Sequence, residues 1–411
     1  MGSALGLLKD RGFRRLWLAV ILSFLGHFVH VIACAWVMTE LTHSATMVAL
    51  VQTAASLPMV LLSLLAGGFA DTLDRRRVML VAEAGMLLVS LALVGFSVMD
   101  AHTPVSLLIL IFGVSLGTTL LTPAWQVSLG DLVTREDLPE AISLHTVGAN
   151  IIKTIGPFVG GLVLAAMGAT WTFLLSTLGY VPALFALWRW RPKQTQETRA
   201  PLLPAVAEGL RYFRSTPRVF PVVERIFVFA LCSIAGLSLL PLVARNQLNG
   251  DASTYGLLFG AYGLGAIISG LSMRSLRTRF GIEKVVTGTI AINAAAIIAL
   301  GLSETSIIGF LASAVAGGGW LLVLTLLNST LQMASPRRLV GRMVSIFMTF
   351  TYIGVAMGGF VWGVAADQWG TPAALVIAGL IMACIVPFAW WRPLPDITEP
   401  APEMAPAPIP S

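Results

Sequence analysis

Long apolar runs, each bounded by short polar or basic clusters, recur from one end of the chain to the other. Twelve of them approach the length needed to cross a bilayer, at 14–38, 46–68, 77–98, 105–125, 141–165, 170–188, 222–243, 254–273, 285–303, 306–327, 343–366 and 371–391. A spanning helix needs about 20 such residues. Gly and Pro are frequent inside the runs, as they are in membrane helices. Alternation of period two between turn signals is missing, which argues against a barrel. The pattern predicts an all-α membrane protein with twelve transmembrane helices.

Composition closes off the alternatives. Of 411 residues, 56% are hydrophobic and 11% charged, against about 25% charged in an ordinary soluble domain. Soluble enzymes, nucleic-acid binders and disordered proteins are excluded on that ground. Arg14-Arg15 before an apolar stretch, and Val31-Ile32-Ala33-Cys34 within it, imitate a lipoprotein signal. Eleven further runs follow, so cleavage is not expected. Cys34, Cys232 and Cys384 sit far apart inside apolar runs and read as buried packing residues. No metal site or cofactor is expected.

The basic residues give the topology. Counting the Lys and Arg before span 1, after each even-numbered span and after span 12 collects 24 of the 26, leaving Lys153 inside a span and Arg245 on the other side. The positive-inside rule then places both termini and the central loop in the cytoplasm. The net charge of +6 is thereby a topology signal and requires no nucleic acid.

The chain also repeats itself. At an offset of 202 residues, Arg135, Gly156, Gly161 and Gly168 fall on Arg337, Gly358, Gly363 and Gly370, and Gly68 and Arg75 fall on Gly270 and Arg277. Six spans plus six spans in parallel register indicate a duplicated bundle. The expected organisation is a first half at 1–188, a cytoplasmic loop at 189–218, a second half at 219–391 and a disordered tail at 392–411. Leu202 to Phe213 has the pattern of a short amphipathic surface helix.

Span 2 ends in Gly67-Gly68-Phe69-Ala70-Asp71-Thr72-Leu73-Asp74-Arg75-Arg76-Arg77. This resembles the G-x-x-x-D-[RK]-x-G-[RK]-[RK] signature of the major facilitator superfamily, departing from it at Thr72 and Asp74. Gly156-Pro157-Phe158-Val159-Gly160-Gly161 in span 5 fits the core of a motif associated with antiporters, and gives Gly156, Pro157, Gly160 and Gly161 a helix-bending role. Phe13-Arg14-Arg15-Leu16-Trp17 and Leu132–Leu138 look like a bacterial efflux branch that includes macrolide-efflux and enterobactin-exporter-like proteins. The resemblance implies a major facilitator fold with two six-helix halves rocking around a midplane site. It also implies a cytoplasmic latch, in which Gly67 allows close packing and Asp71 faces the start of span 11, where Arg342 stands. Arg75 would meet Asp131, with Arg76 beside it. The second copy has Met273 at the aspartate position, so the latch is asymmetric.

Ionisable residues deep in spans are expensive, about 2.5–3.5 kcal/mol at a helix centre, and mark function by default. His27, His30, Glu83, His145 and Lys153 qualify. His27 and His30 are three residues apart on one face of span 1; they belong either to a proton pathway or to hydrogen bonds with neighbouring helices. Lys153, with Asn150 one turn earlier, is expected to face the substrate. Glu83 lies one or two turns into span 3, either on the proton pathway or reaching the cytoplasmic interface. Where many relatives carry an acid in span 1, this chain has His27, which leaves Lys153 without an evident deep carboxylate. Trp320, after Gly317-Gly318-Gly319, stacks on a ligand or packs. The leading expectation is a monomeric, proton-coupled exporter of a small organic compound. An importer of an organic anion is the alternative, and a polytopic enzyme or channel the remaining one.

Overall fold

A computed structural model describes residues 6–62, 74–191 and 202–395. The chain is helical along almost all of them. The spans are α1 (Arg11–Leu41), α2 (Ala45–Leu62), α3 (Arg75–Val98) and α4 (Pro104–Leu132). Leu138–Arg189 is a run of 52 residues interrupted at Gly168 (φ 79°, ψ 178°). Its two arms are α5 and α6. Then follow α7 (Pro217–Gln247), α8 (Ala252–Phe280), α9 (Ile282–Gly301), α10 (Ser306–Met333), α11 (Val340–Trp369) and α12 (Thr371–Ala389). Gly168 thus turns eleven long apolar helices into twelve crossings.

Gly370 joins α11 to α12 with φ 85°, as Gly168 joins α5 to α6. Both are left-handed backbone positions that a side chain would strain. They stand at the offset of the repeat. The duplication seen in the sequence is therefore also a duplication of turn geometry.

Neighbouring crossings alternate in direction, so the chain has a terminal face, carrying the start of α1 and the end of α12, and a distal face, carrying the α1–α2, α7–α8 and α11–α12 connections. The apolar core is unequal between them. One cluster runs through the last six helices and continues into the distal half of α1 and the start of α2, through Cys34, Met38 and Val48. A second, separate cluster around Phe13, Met79, Trp125 and Tyr180 fills the terminal-face half of the first six helices. The two helix sets share a core on the distal side and hold separate cores on the terminal side. That is the shape of a molecule split from the terminal face.

Beyond the spans, Leu202–Ser215 forms a linker helix. Its Glu208 pairs with Arg342 at the start of α11 and with Arg338 at 3.3 Å. Its Gly209 lies flat against the Arg342 side chain. Arg225 in α7 is 1% exposed; its terminal nitrogens meet Glu283 of α9 at 2.7 Å and the carbonyls of Ala389 (3.2 Å) and Arg392 (2.8 Å). The backbone N–H of Leu394 donates to the same Glu283 at 2.7 Å. This network ties α7, α9 and the end of α12 together. Cys34 and Cys232 are buried as expected, whereas Cys384 is exposed, because the α12 face it occupies turns outward.

Candidate functional site in the cleft between the helix sets

Three contacts close the distal face. Asp367, in the last turn of α11, accepts from the backbone N–H of Ala45 (2.5 Å), the N–H of Thr46 (3.0 Å) and the Ser44 hydroxyl (2.8 Å). An anion stabilises a helix N-terminus by meeting its free donors and its dipole. The α2 N-terminus is therefore capped from the other half of the molecule. By contrast α8 is capped by its own Asp251, whose carboxyl is held below the usual range by the Ser253 hydroxyl and the Thr254 N–H. Arg245, before α8, donates to the carbonyl and the hydroxyl of Thr39 at the end of α1. A cation there complements the negative end of that helix. Trp36 stacks on Tyr255 with centroids 6.1 Å apart, completing the seal.

Glycines let these surfaces meet. Gly363 lies against Thr46 and Ala49, and Gly359 against Thr53, so α11 approaches α2 closely enough for Asp367 to reach. Gly161 of α5 meets Gly256 of α8 backbone to backbone. Gly156 and Gly160 lie against Phe28 and Val29 of α1. The span 5 motif, which the sequence assigned to bending, supplies close helix contacts; the residue of that run with non-helical backbone is Gly168.

Toward the terminal face, α5 presents two exposed sides. Ile151 and Ile155 form an apolar one. Thr146, Asn150 and Lys153, spaced by four and three, form a polar one. Gly148 and Gly156 press α5 against α1 on one flank of the polar stripe, and Gly161 presses it against α8 on the other. The stripe therefore faces the cleft. Lys153 is exposed and stands midway along α5. Among the described residues no carboxylate pairs with it.

The remaining deep ionisable residues separate. His27 Nδ1 lies 3.2 Å from the Thr118 hydroxyl of α4, and His30 Nδ1 lies 3.2 Å from the Ser176 hydroxyl of α6. The two histidines serve different neighbours. His145 accepts from Trp125 Nε1 at 3.1 Å, as a packing residue would. The sequence left two readings open for Glu83, and the packing keeps its side chain away from the molecular surface. It is fully buried, accepts from the Ser23 hydroxyl of α1 at 3.1 Å, and leaves its Oε1 without a partner. The α3 face that carries it packs on α1, α4 and α6, which its position near a span end did not reveal. Trp320 stacks on Phe229 at 5.9 Å within the second half.

Of the latch residues, Gly67 and Asp71 lie outside the described residues. Arg75 pairs with Asp131 at 3.2 Å. Arg76 donates to the carbonyls of Leu187 (3.0 Å) and Trp188, capping the end of α6. Arg342 is engaged by Glu208 of the linker helix, a partner the sequence did not suggest. Asp367 and Arg245 were also missed. Two signals were present: Gly363 and Asp367 repeat the spacing of Gly67 and Asp71, and Arg245 is the one cation on the distal side of the charge pattern.

The fold matches solved transporters. A bacterial homologue of the human lysosomal transporter Spinster, in an inward-facing and occupied conformation, superposes with a TM-score of 0.74 at 14% identity, covering 97% of this chain and 99% of that one. A POT family transporter in complex with 5-aminolevulinic acid gives 0.74 at 13% identity, covering 95% and 97%. In sequence, the enterobactin exporter EntS of Escherichia coli O1:K1 / APEC is 28% identical over 95% of this chain and 96% of its own length. The multidrug efflux pump Tap of Mycolicibacterium fortuitum is 25% identical over 89% and 91%. The staphyloferrin A transporter of Staphylococcus aureus is 27% identical over 61% of this chain and 64% of its own length. The family described as transmembrane secretion effector matches residues 2–408. With that match and twelve helices in two six-helix halves, the chain belongs to the transmembrane secretion effector family of the major facilitator superfamily.

Proposed function

We propose that this multi-pass membrane protein is a monomeric, proton-coupled exporter of a small anionic or electron-rich organic compound. Its two bodies, 1–188 and 219–391, rock around the cleft. The terminal face looks into the cytoplasm, consistent with the basic residues gathered there. The described state is then open to the cytoplasm and ready to load cargo. The observation that carries the substrate class is Lys153: a deep, cleft-facing ammonium without a carboxylate partner among the described residues. Such a charge needs an anionic companion, and a carboxylate or catecholate of the cargo provides one. The names of the relatives, siderophore transporters among them, support the same reading.

The proton is carried by Glu83, whose carboxyl lies between α1 and α3 with one oxygen unpartnered. His27, hydrogen-bonded to Thr118 and partly exposed where Glu83 is buried, adjusts the affinity for cargo. Everted membrane vesicles test the whole reading. Uptake of a catecholate or carboxylate compound should require an imposed proton gradient and be abolished by Lys153→Met. Lys153→Arg should retain part of it. Normal transport by Lys153→Met would make the residue structural and remove the anionic substrate class.

A further inference from the structure

A second cavity lies away from the cleft. α8 and α10 touch backbone to backbone, because Gly265 meets Ala314 and Gly317 meets Tyr262. α9 is held to α10 separately, by Asn293 donating to the Ala316 carbonyl at 2.9 Å. Gly281, with φ 79°, makes the tight turn from α8 into α9. After that turn α8 and α9 diverge, each following α10. The gap between them is a cavity of about 490 Å³, floored by Gly318 and Leu322 of α10 and walled by Ile268 and Leu276 of α8 and Val285 and Ile292 of α9. Ile268 and Ile292 are exposed, so the cavity opens outward, on the side of the second half turned away from the first. In a bilayer that side meets lipid.

The mouth of the groove is basic. Lys284, at the start of α9, lines it and is exposed. Phe280 lines it too, and the Arg279 guanidinium sits 5.3 Å from that ring. Both cations are at the terminal face, at headgroup level, while the body of the groove is apolar. An apolar slot one helix-gap wide with cations at its interfacial end matches one kind of molecule. Basic pockets between membrane helices on the cytoplasmic side bind anionic headgroups.

We infer that the α8–α9–α10 groove is a binding site for an anionic phospholipid, with an acyl chain along Gly318 and Ile268 and the phosphate against Lys284 and Arg279. The site is separate from the transport cleft and does not depend on the cargo. α8 also carries Gly256, one of the residues that seal the distal face, so an occupant of this groove touches a helix that takes part in closure.

Native mass spectrometry of the full-length protein with phosphatidylglycerol and with phosphatidylcholine tests the inference. Wild type should retain phosphatidylglycerol in preference to phosphatidylcholine. Lys284→Gln should lower phosphatidylglycerol retention about fivefold, the contribution of one interfacial lysine, and leave phosphatidylcholine unchanged. Gly288 also lines the groove, and a side chain there meets nothing within 4 Å. Gly288→Phe should therefore fold, fill the slot and lower retention of both lipids. Phosphatidylglycerol retention unaffected by Lys284→Gln would overturn the headgroup assignment. Loss with Lys284→Gln but not with Gly288→Phe would overturn the groove as the chain site and leave only surface charge.

Discussion

The carboxylate of Asp367 caps the helix that begins at Ala45, 322 residues away in sequence and in the other half of the transporter. The free donors of α2 thereby become a contact that exists only while the distal face is closed. Arg245 on the carbonyl end of α1 does the same with opposite sign. The turn between α1 and α2 is held on both its sides by charges from the other half.

Asp367→Asn should leave folding intact and weaken distal closure by about 0.3–1 kcal/mol, the scale of an exposed charge at a helix terminus. Spin labels on the distal ends of α2 and α11 should report a population with larger separation. An unchanged distance distribution would reduce the contact to ordinary capping.

Gly161→Leu acts on the same closure by volume. The new side chain meets the Gly256 backbone, which cannot yield. Distal closure should be blocked and the terminal-face cleft disfavoured, so a cysteine placed at Thr146 should become less accessible to thiol reagents from the terminal side. Equal labelling rates would show that α5 and α8 separate without rearranging the cleft.

Glu83→Gln keeps the shape of the side chain and its contact with Ser23 while removing the titrating group. Uptake driven by a proton gradient should fall to background. Cargo exchange at equal concentrations on both sides should persist. Loss of both activities together would mark Glu83 as a packing residue of the first half.

Glu283→Gln tests the network around Arg225. It leaves a buried guanidinium with carbonyl partners and no counter-charge; because Glu283 itself is 38% exposed, the loss is that of a charged hydrogen bond, about 1.5–3 kcal/mol. Thermal unfolding of the detergent-solubilised protein should shift downward by several degrees. A replacement that restores neutrality, Arg225→Met with Glu283→Gln, should recover part of the shift.

The crossings were legible in the sequence because apolar length is a local property, and the repeat because Gly168 and Gly370 stand at equal offsets. The Arg75–Asp131 pair was legible through the family motif. The distal clasp was not, since nothing near Asp367 in sequence names Ala45 as its partner. Glu83 was ambiguous for a related reason: distance from a span end fixes depth, but the facing of the side chain depends on which neighbours α3 packs against. Arg342 also pairs with Glu208 of the linker helix, a contact that no neighbour in sequence announces; Asp71, the partner expected from the family pattern, lies outside the described residues.

Gly168 and Gly370 leave one further mark on the molecule. Where most polytopic proteins place a loop, this chain turns on a single residue, twice, on the distal face. An epitope or protease site inserted at either point would have to unwind a helix to be displayed. Those two turns consequently offer little purchase to an antibody, a tag or a protease, and a handle on the distal face belongs in a true loop such as that between α3 and α4.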